Sequence, residues 1–89
     1  MIQGNPYRGS EIRKAALEAL ELASPYALPE EALRTAVNTR VRPPSGDEEF
    51  GEVLQALARK RAIATVEDAM DEELVKWTLT EVGKALLAQ

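Results

Sequence analysis

Cysteine and histidine are both missing from the 89 residues. Their absence excludes disulfide stapling, thiol chemistry, zinc centres built on those side chains, and Ser-His-Asp or Cys-His catalysis. Aromatic residues amount to 4%, with one Trp, one Phe and two Tyr, so Trp77 is expected to be the largest single piece of the core. No apolar run nears the roughly 20 residues that a membrane-spanning helix requires. The opening Met1-Ile2-Gln3-Gly4-Asn5 lacks the charged-then-apolar character of a targeting signal. A cytoplasmic protein without membrane contact is the expectation. The five glycines are scattered, in neither G-x-G-x-x-G nor G-x-x-x-x-G-K-[ST] spacing, so no phosphate-cradling loop is expected. Carboxylates are plentiful but fall on segments expected to be exposed, where they stay ionised and untuned for proton transfer. The acidic stretch at residues 67–73 lacks the D-x-D-x-D-G spacing of a calcium loop. No enzymatic activity, cofactor or metal site is expected.

What is present is a single small domain. Hydrophobic residues make up 45% and charged residues 29% of the chain, and a domain of this size buries about 60–65% of its unfolded surface, a thin core. Residues 1–9, with two Gly, a Pro and an Asn, read as an N-terminal arm before a domain at 10–89, although Tyr7 and Arg8 are also acceptable helix starts. Ser10 suits an N-cap with Glu11 behind it. Ile12, Ala16, Leu20 and Ala23, broadened by Leu17, form the inward stripe of a first helix, which Ser24-Pro25 ends. Tyr26-Ala27-Leu28 reads as a short extended piece. Pro29 suits the first turn of a second helix reaching Asn38, with Leu33, Ala36 and Val37 on one face. Pro43 and Pro44 then keep the following segment out of helix. Ser45 to Glu48 fits the capping-box pattern S-x-x-E. Phe50, Val53, Leu54, Leu57 and Ala58 give the cleanest amphipathic stripe in the chain, with Glu48, Glu49, Glu52, Gln55, Ala56 and Arg59 outward.

Beyond Arg61 the period changes. Ile63-Ala64-Thr65-Val66 and then Val75, Trp77 and Leu79, alternating with Lys76 and Thr78, predict two strands around an acidic turn. Met70, Leu74 and Trp77 also share helical spacing, a rival reading that the β-rich Trp77-Thr78-Leu79-Thr80 disfavours. Thr80 is placed to cap a last helix over Glu81–Leu87, with Val82, Ala85 and Leu86 inward. By spacing alone this is an α+β, mainly α domain, with a three-helix body, a two-stranded hairpin and a short C-terminal helix.

The run Trp77-Thr78-Leu79-Thr80-Glu81-Val82-Gly83-Lys84-Ala85-Leu86-Leu87 resembles the strand-then-helix ending of winged-helix transcriptional regulators of the MarR/PadR kind. Leu54 through Ile63 likewise resembles the end of a recognition helix leading into the first wing strand. The resemblance implies a winged helix in which the third helix enters the DNA major groove. The sequence departs from that pattern in three places. The Thr39–Gly46 connection exceeds the 3–4 residues of a helix-turn-helix turn, the third helix opens with acids, and the wing tip is acidic.

Eleven Lys and Arg against fifteen Asp and Glu give a net charge of −4, unusual for a nucleic-acid binder, whose affinity rests on phosphate neutralisation. The cations are nevertheless clustered. Arg34, Arg40 and Arg42 fall in an acid-free stretch, and Arg59-Lys60-Arg61 form a second group. With Gln55 on the third helix, these are the candidate contacts to double-stranded DNA. The alternative partner is a basic protein, met by Asp47, Glu48 and Glu52 on the helix start and by Glu67, Asp68, Asp71, Glu72 and Glu73 on the wing. A homodimer would suit the DNA reading, with Leu17 and Leu22 as a partner surface on the first helix.

Overall fold

A computed structural model describes residues 8–67, 69–71 and 74–89. The order of elements is α1 (Arg8–Ala23), β1 (Leu28–Pro29), α2 (Glu30–Asn38), α3 (Asp47–Arg59), β2 (Ile63–Glu67), β3 (Val75–Leu79) and α4 (Glu81–Ala88). Residues 63–67 and 75–79 are therefore an antiparallel hairpin, and the helical alternative around Met70–Trp77 falls away. The extended piece before Pro29 does more than connect. Leu28 and Pro29 pair with Trp77 and Lys76, making a three-stranded antiparallel sheet in the order β1-β3-β2.

The core is built from the stripes that the spacing marks. Ile12, Ala16 and Leu20 of α1, Leu33 and Val37 of α2, and Phe50, Val53, Leu54 and Leu57 of α3 are all buried, together with Ile63 and Trp77 from the sheet. Burying a large apolar side chain contributes about 1.5–3 kcal/mol. A body of three short helices thus depends on the sheet to close its open side. Trp77 closes most of it, at 6% exposure. Its indole Nε1–H donates to Glu30 Oε1 at 3.0 Å, tying the wing to the start of α2.

Five local expectations are corrected. Helix α1 begins at Arg8, so Ser10 is not its cap; the Ser10 hydroxyl lies inside the first turn and accepts a bond from Arg13 Nη2 at 2.8 Å. Pro29 is the N-cap of α2 rather than a first-turn residue, because its backbone is held extended in β1. Gly46, not Ser45, is the N-cap of α3. Ser45 turns inward, where its backbone N–H and hydroxyl donate to Asn38 Oδ1 at 2.9 and 2.7 Å. In α4 the inward residues are Gly83 and, in part, Leu87, whereas Val82, Ala85 and Leu86 are exposed. The rotation follows from close packing: a Cβ on Gly83 would lie 2.3 Å from the Ala62 carbonyl oxygen, so only this glycine can face the α3–β2 junction. Finally, Leu17 is buried and unavailable as a partner surface, while Leu22 is 75% exposed.

The cap of α4 follows its expectation. The Thr80 hydroxyl accepts from the Gly83 N–H at 3.2 Å and donates to the Arg61 carbonyl at 2.5 Å, fastening the helix start to the end of α3.

Candidate nucleic-acid interface

Helix α3 is amphipathic, and its exposed side carries Glu48, Gly51, Glu52, Gln55 and Arg59 around a shallow groove. The hairpin β2–β3 stands at its C-terminal end. Between the two, α3 finishes in a Schellman closure. The Ala62 N–H donates to Leu57 O at 3.0 Å and the Arg61 N–H to Ala58 O at 2.9 Å. This closure requires a left-handed residue at Arg61, and its φ is 62°. Glycine normally holds such a position because any Cβ there meets the neighbouring carbonyl. A long cation occupies it here, and Arg59, Lys60 and Arg61 are all exposed.

The other cluster is partly engaged. Arg34 forms an ion pair with Asp47, joining α2 to the first turn of α3. Arg40 Nη1 reaches the Ala15 carbonyl at 3.4 Å, and Arg42 Nη1 the Asn38 carbonyl at 3.1 Å. Both remain exposed on the linker between α2 and α3. The structure thus gathers Gln55 and Arg59 on one helical face with Lys60 and Arg61 beyond its end. It places Arg40 and Arg42 on the α2–α3 linker, and Arg34 in a partly exposed ion pair with Asp47.

Of the acids, Asp47, Glu48 and Glu52 are exposed on α3, and Glu67 and Asp71 on the hairpin. Asp68, Glu72 and Glu73 lie outside the described residues. Glu49 departs from the outward position its spacing suggests. It receives Arg8 Nε at 2.7 Å and Arg8 Nη2 at 3.1 Å, and the same Nη2 donates to the carbonyls of Pro43 and Pro44 at 2.8 and 3.1 Å. One guanidinium therefore clamps α1, the proline linker and α3. The hydrogen bond from Arg8, its positive charge and the Gly46 N–H hold the Glu49 carboxyl below its ordinary value, and the pairing raises Arg8. Sequence spacing could not reveal this pair, whose members are 41 residues apart. Among the described residues no three Asp or Glu side chains converge as a metal site, and no helix is long and apolar enough to cross a membrane.

Two solved structures share this arrangement. A MarR family transcription regulator superposes with a TM-score of 0.69 at 21% identity, over 86% of this chain and 46% of that one. A single-substitution mutant of MepR from S. aureus superposes with a TM-score of 0.68 at 25% identity, over 85% of this chain and 51% of that one. The chain thus spans about half the length of the structures it matches. No family model matches the sequence, and no curated protein does. The chain has a winged-helix fold of the MarR kind, in which α2 and α3 are the helix pair and β2–β3 the wing.

Proposed function

We propose that this chain is a non-catalytic, DNA-binding winged-helix module of a transcription regulator. The observation that carries the reading is the solvent-facing side of α3 beside a hairpin wing, in a fold shared with MarR-type regulators. In this reading α3 enters the major groove, where Gln55 has the donor and acceptor needed for an adenine edge. Arg59, Lys60 and Arg61 contact phosphates next to it, and Arg40 and Arg42 hold the backbone from the α2–α3 linker. Arg34 supports the helix pair through Asp47 rather than touching DNA. Arg61 has the strongest individual claim, because a side chain kept at a left-handed position costs stability that glycine would avoid.

Binding of labelled random-sequence duplex, followed by anisotropy at two salt concentrations, tests the proposal. Micromolar-range affinity that falls steeply with salt is the expected result. No binding even at low salt would remove it. The pair Arg40→Glu and Arg42→Glu should weaken a binding protein further; unchanged affinity would take the linker out of the interface.

A second reading is favoured by one observation: Asp47, Glu48 and Glu52 are exposed on the same α3 that would face phosphate. Those acids suit a basic protein surface. Retention of a partner that is lost when the three are neutralised, in a chain that ignores duplex, would support that reading over the first.

A further inference from the structure

We propose, resting on the DNA-binding reading, that Glu52 sets the sequence preference by accepting a hydrogen bond from the amino group of cytosine. The duplex this chain selects then carries a C·G pair beside the A·T pair met by Gln55. Helix α3 holds four acids, Asp47, Glu48, Glu49 and Glu52, and their surroundings differ. Asp47 and Glu49 are matched within the protein, by Arg34 and Arg8. Glu48 and Glu52 are exposed and have no cation or side-chain hydrogen bond among the described residues. The helix dipole accounts for Glu48, which lies in the first turn. It does not account for Glu52, which lies beyond that turn and repels Glu48 at i, i+4.

At 3.6 residues per turn, Glu48, Glu52, Gln55 and Arg59 fall within about 60° of the helix circumference. They stand opposite the buried Phe50, Val53, Leu54 and Leu57. Gly51 borders this stripe, in the middle of a helix that glycine weakens. A Cβ there would meet nothing within 4 Å, so no neighbour in the protein calls for glycine. What the missing side chain leaves is room. Gly51 lines a groove of about 700 Å³ together with Glu48, Glu52, Gln55 and Arg59, and a base edge can come close to Glu52 there.

The chemistry of the carboxylate selects the base. An ionised glutamate only accepts hydrogen bonds. In the major groove guanine and thymine present acceptors, and adenine presents an acceptor beside its amino group. Cytosine alone presents a donor without an acceptor next to it, and so fits Glu52. Glu52 precedes Gln55 by three residues, a rise of about 4.5 Å, against about 3.4 Å per base-pair step. The two side chains therefore reach adjacent pairs. Where the cytosine is missing, the same carboxylate only repels phosphate, which lowers affinity for random duplex and widens the margin of the selected site.

Selection from a randomised duplex library should enrich sites with a C·G pair next to an A·T pair. Replacing that C·G pair by T·A exchanges the amino donor for a carbonyl acceptor, and should weaken binding by about tenfold or more in anisotropy. Glu52→Gln, whose amide both donates and accepts, should bind the two duplexes within about twofold of each other. It should also hold random-sequence duplex more tightly than the original chain does. Gly51→Ala should raise the urea midpoint yet weaken the selected duplex, because its methyl group enters the groove. Both residues lie on the solvent side of α3, so circular dichroism should be unchanged in each variant. An enriched site without the C·G pair overturns the proposal, as does a Glu52→Gln variant that still prefers C·G to T·A. Undiminished affinity in Gly51→Ala overturns it as well, by showing that no base approaches the groove. In these three cases the chain binds duplex and the DNA-binding reading stands. A chain that binds no duplex even at low salt removes both.

Discussion

At the scale of single residues, two backbone positions decide how the wing joins the body. Arg61 adopts a left-handed conformation that costs a residue with a Cβ about 1–2 kcal/mol. Arg61→Gly should therefore raise stability by about 0.5–1 kcal/mol after the extra freedom of the unfolded chain is set against it, as read from urea denaturation. The same change should weaken duplex binding, and that opposition between stability and affinity marks a side chain kept for contact. Gly83 behaves in the opposite sense. A methyl group there would meet the Ala62 oxygen at 2.3 Å and Leu79 Cδ1 at 2.5 Å. Leu79 can turn aside, but the backbone carbonyl cannot. Gly83→Ala should destabilise by about 1–3 kcal/mol, and a neutral urea midpoint would show that α4 can shift outward without loss.

At the scale of elements, the bidentate contact of Arg8 with Glu49 joins α1 to α3 and seats the proline linker between them. Because the folded carboxyl is held below the ordinary glutamate value of 4.5, its contribution is fully present above that pH. It fades as pH falls from there through the folded value. Thermal melts from pH 7 to pH 3 should show a drop over the acid end that Glu49→Gln reduces; an identical slope in the variant would assign the drop to other carboxylates. Elements whose own spacing settles their inward face were legible from the residues. Phe50, Val53, Leu54 and Leu57 leave one arrangement for α3, and alternation about Trp77 leaves one for β3. Others were not. Helix α4 is apolar on several sides, and only the approach of Ala62 to Gly83 chooses among them. Ser45 and Gly46 compete for one cap, and the distant Asn38 decides. A two-residue strand such as Leu28–Pro29 carries no period at all. At the candidate interface, the clustering of Arg59, Lys60 and Arg61 was visible in the chain. The pairing of Arg34 with Asp47 depends on where the linker returns the start of α3 beside α2, which spacing does not encode.

At the scale of the whole molecule, acids and bases divide around the wing: Lys60 and Arg61 enter it, and Glu67 and Asp71 lie at its far end. The closure of the body by its sheet has another consequence. Trp77 is the sole tryptophan, it lies inside the seam between wing and helices, and its ring nitrogen is bonded to the carboxylate that opens α2. Nature has in effect installed one optical reporter at the joint, so a red shift in ultraviolet emission would register the flap lifting from the body even while the helices stay wound.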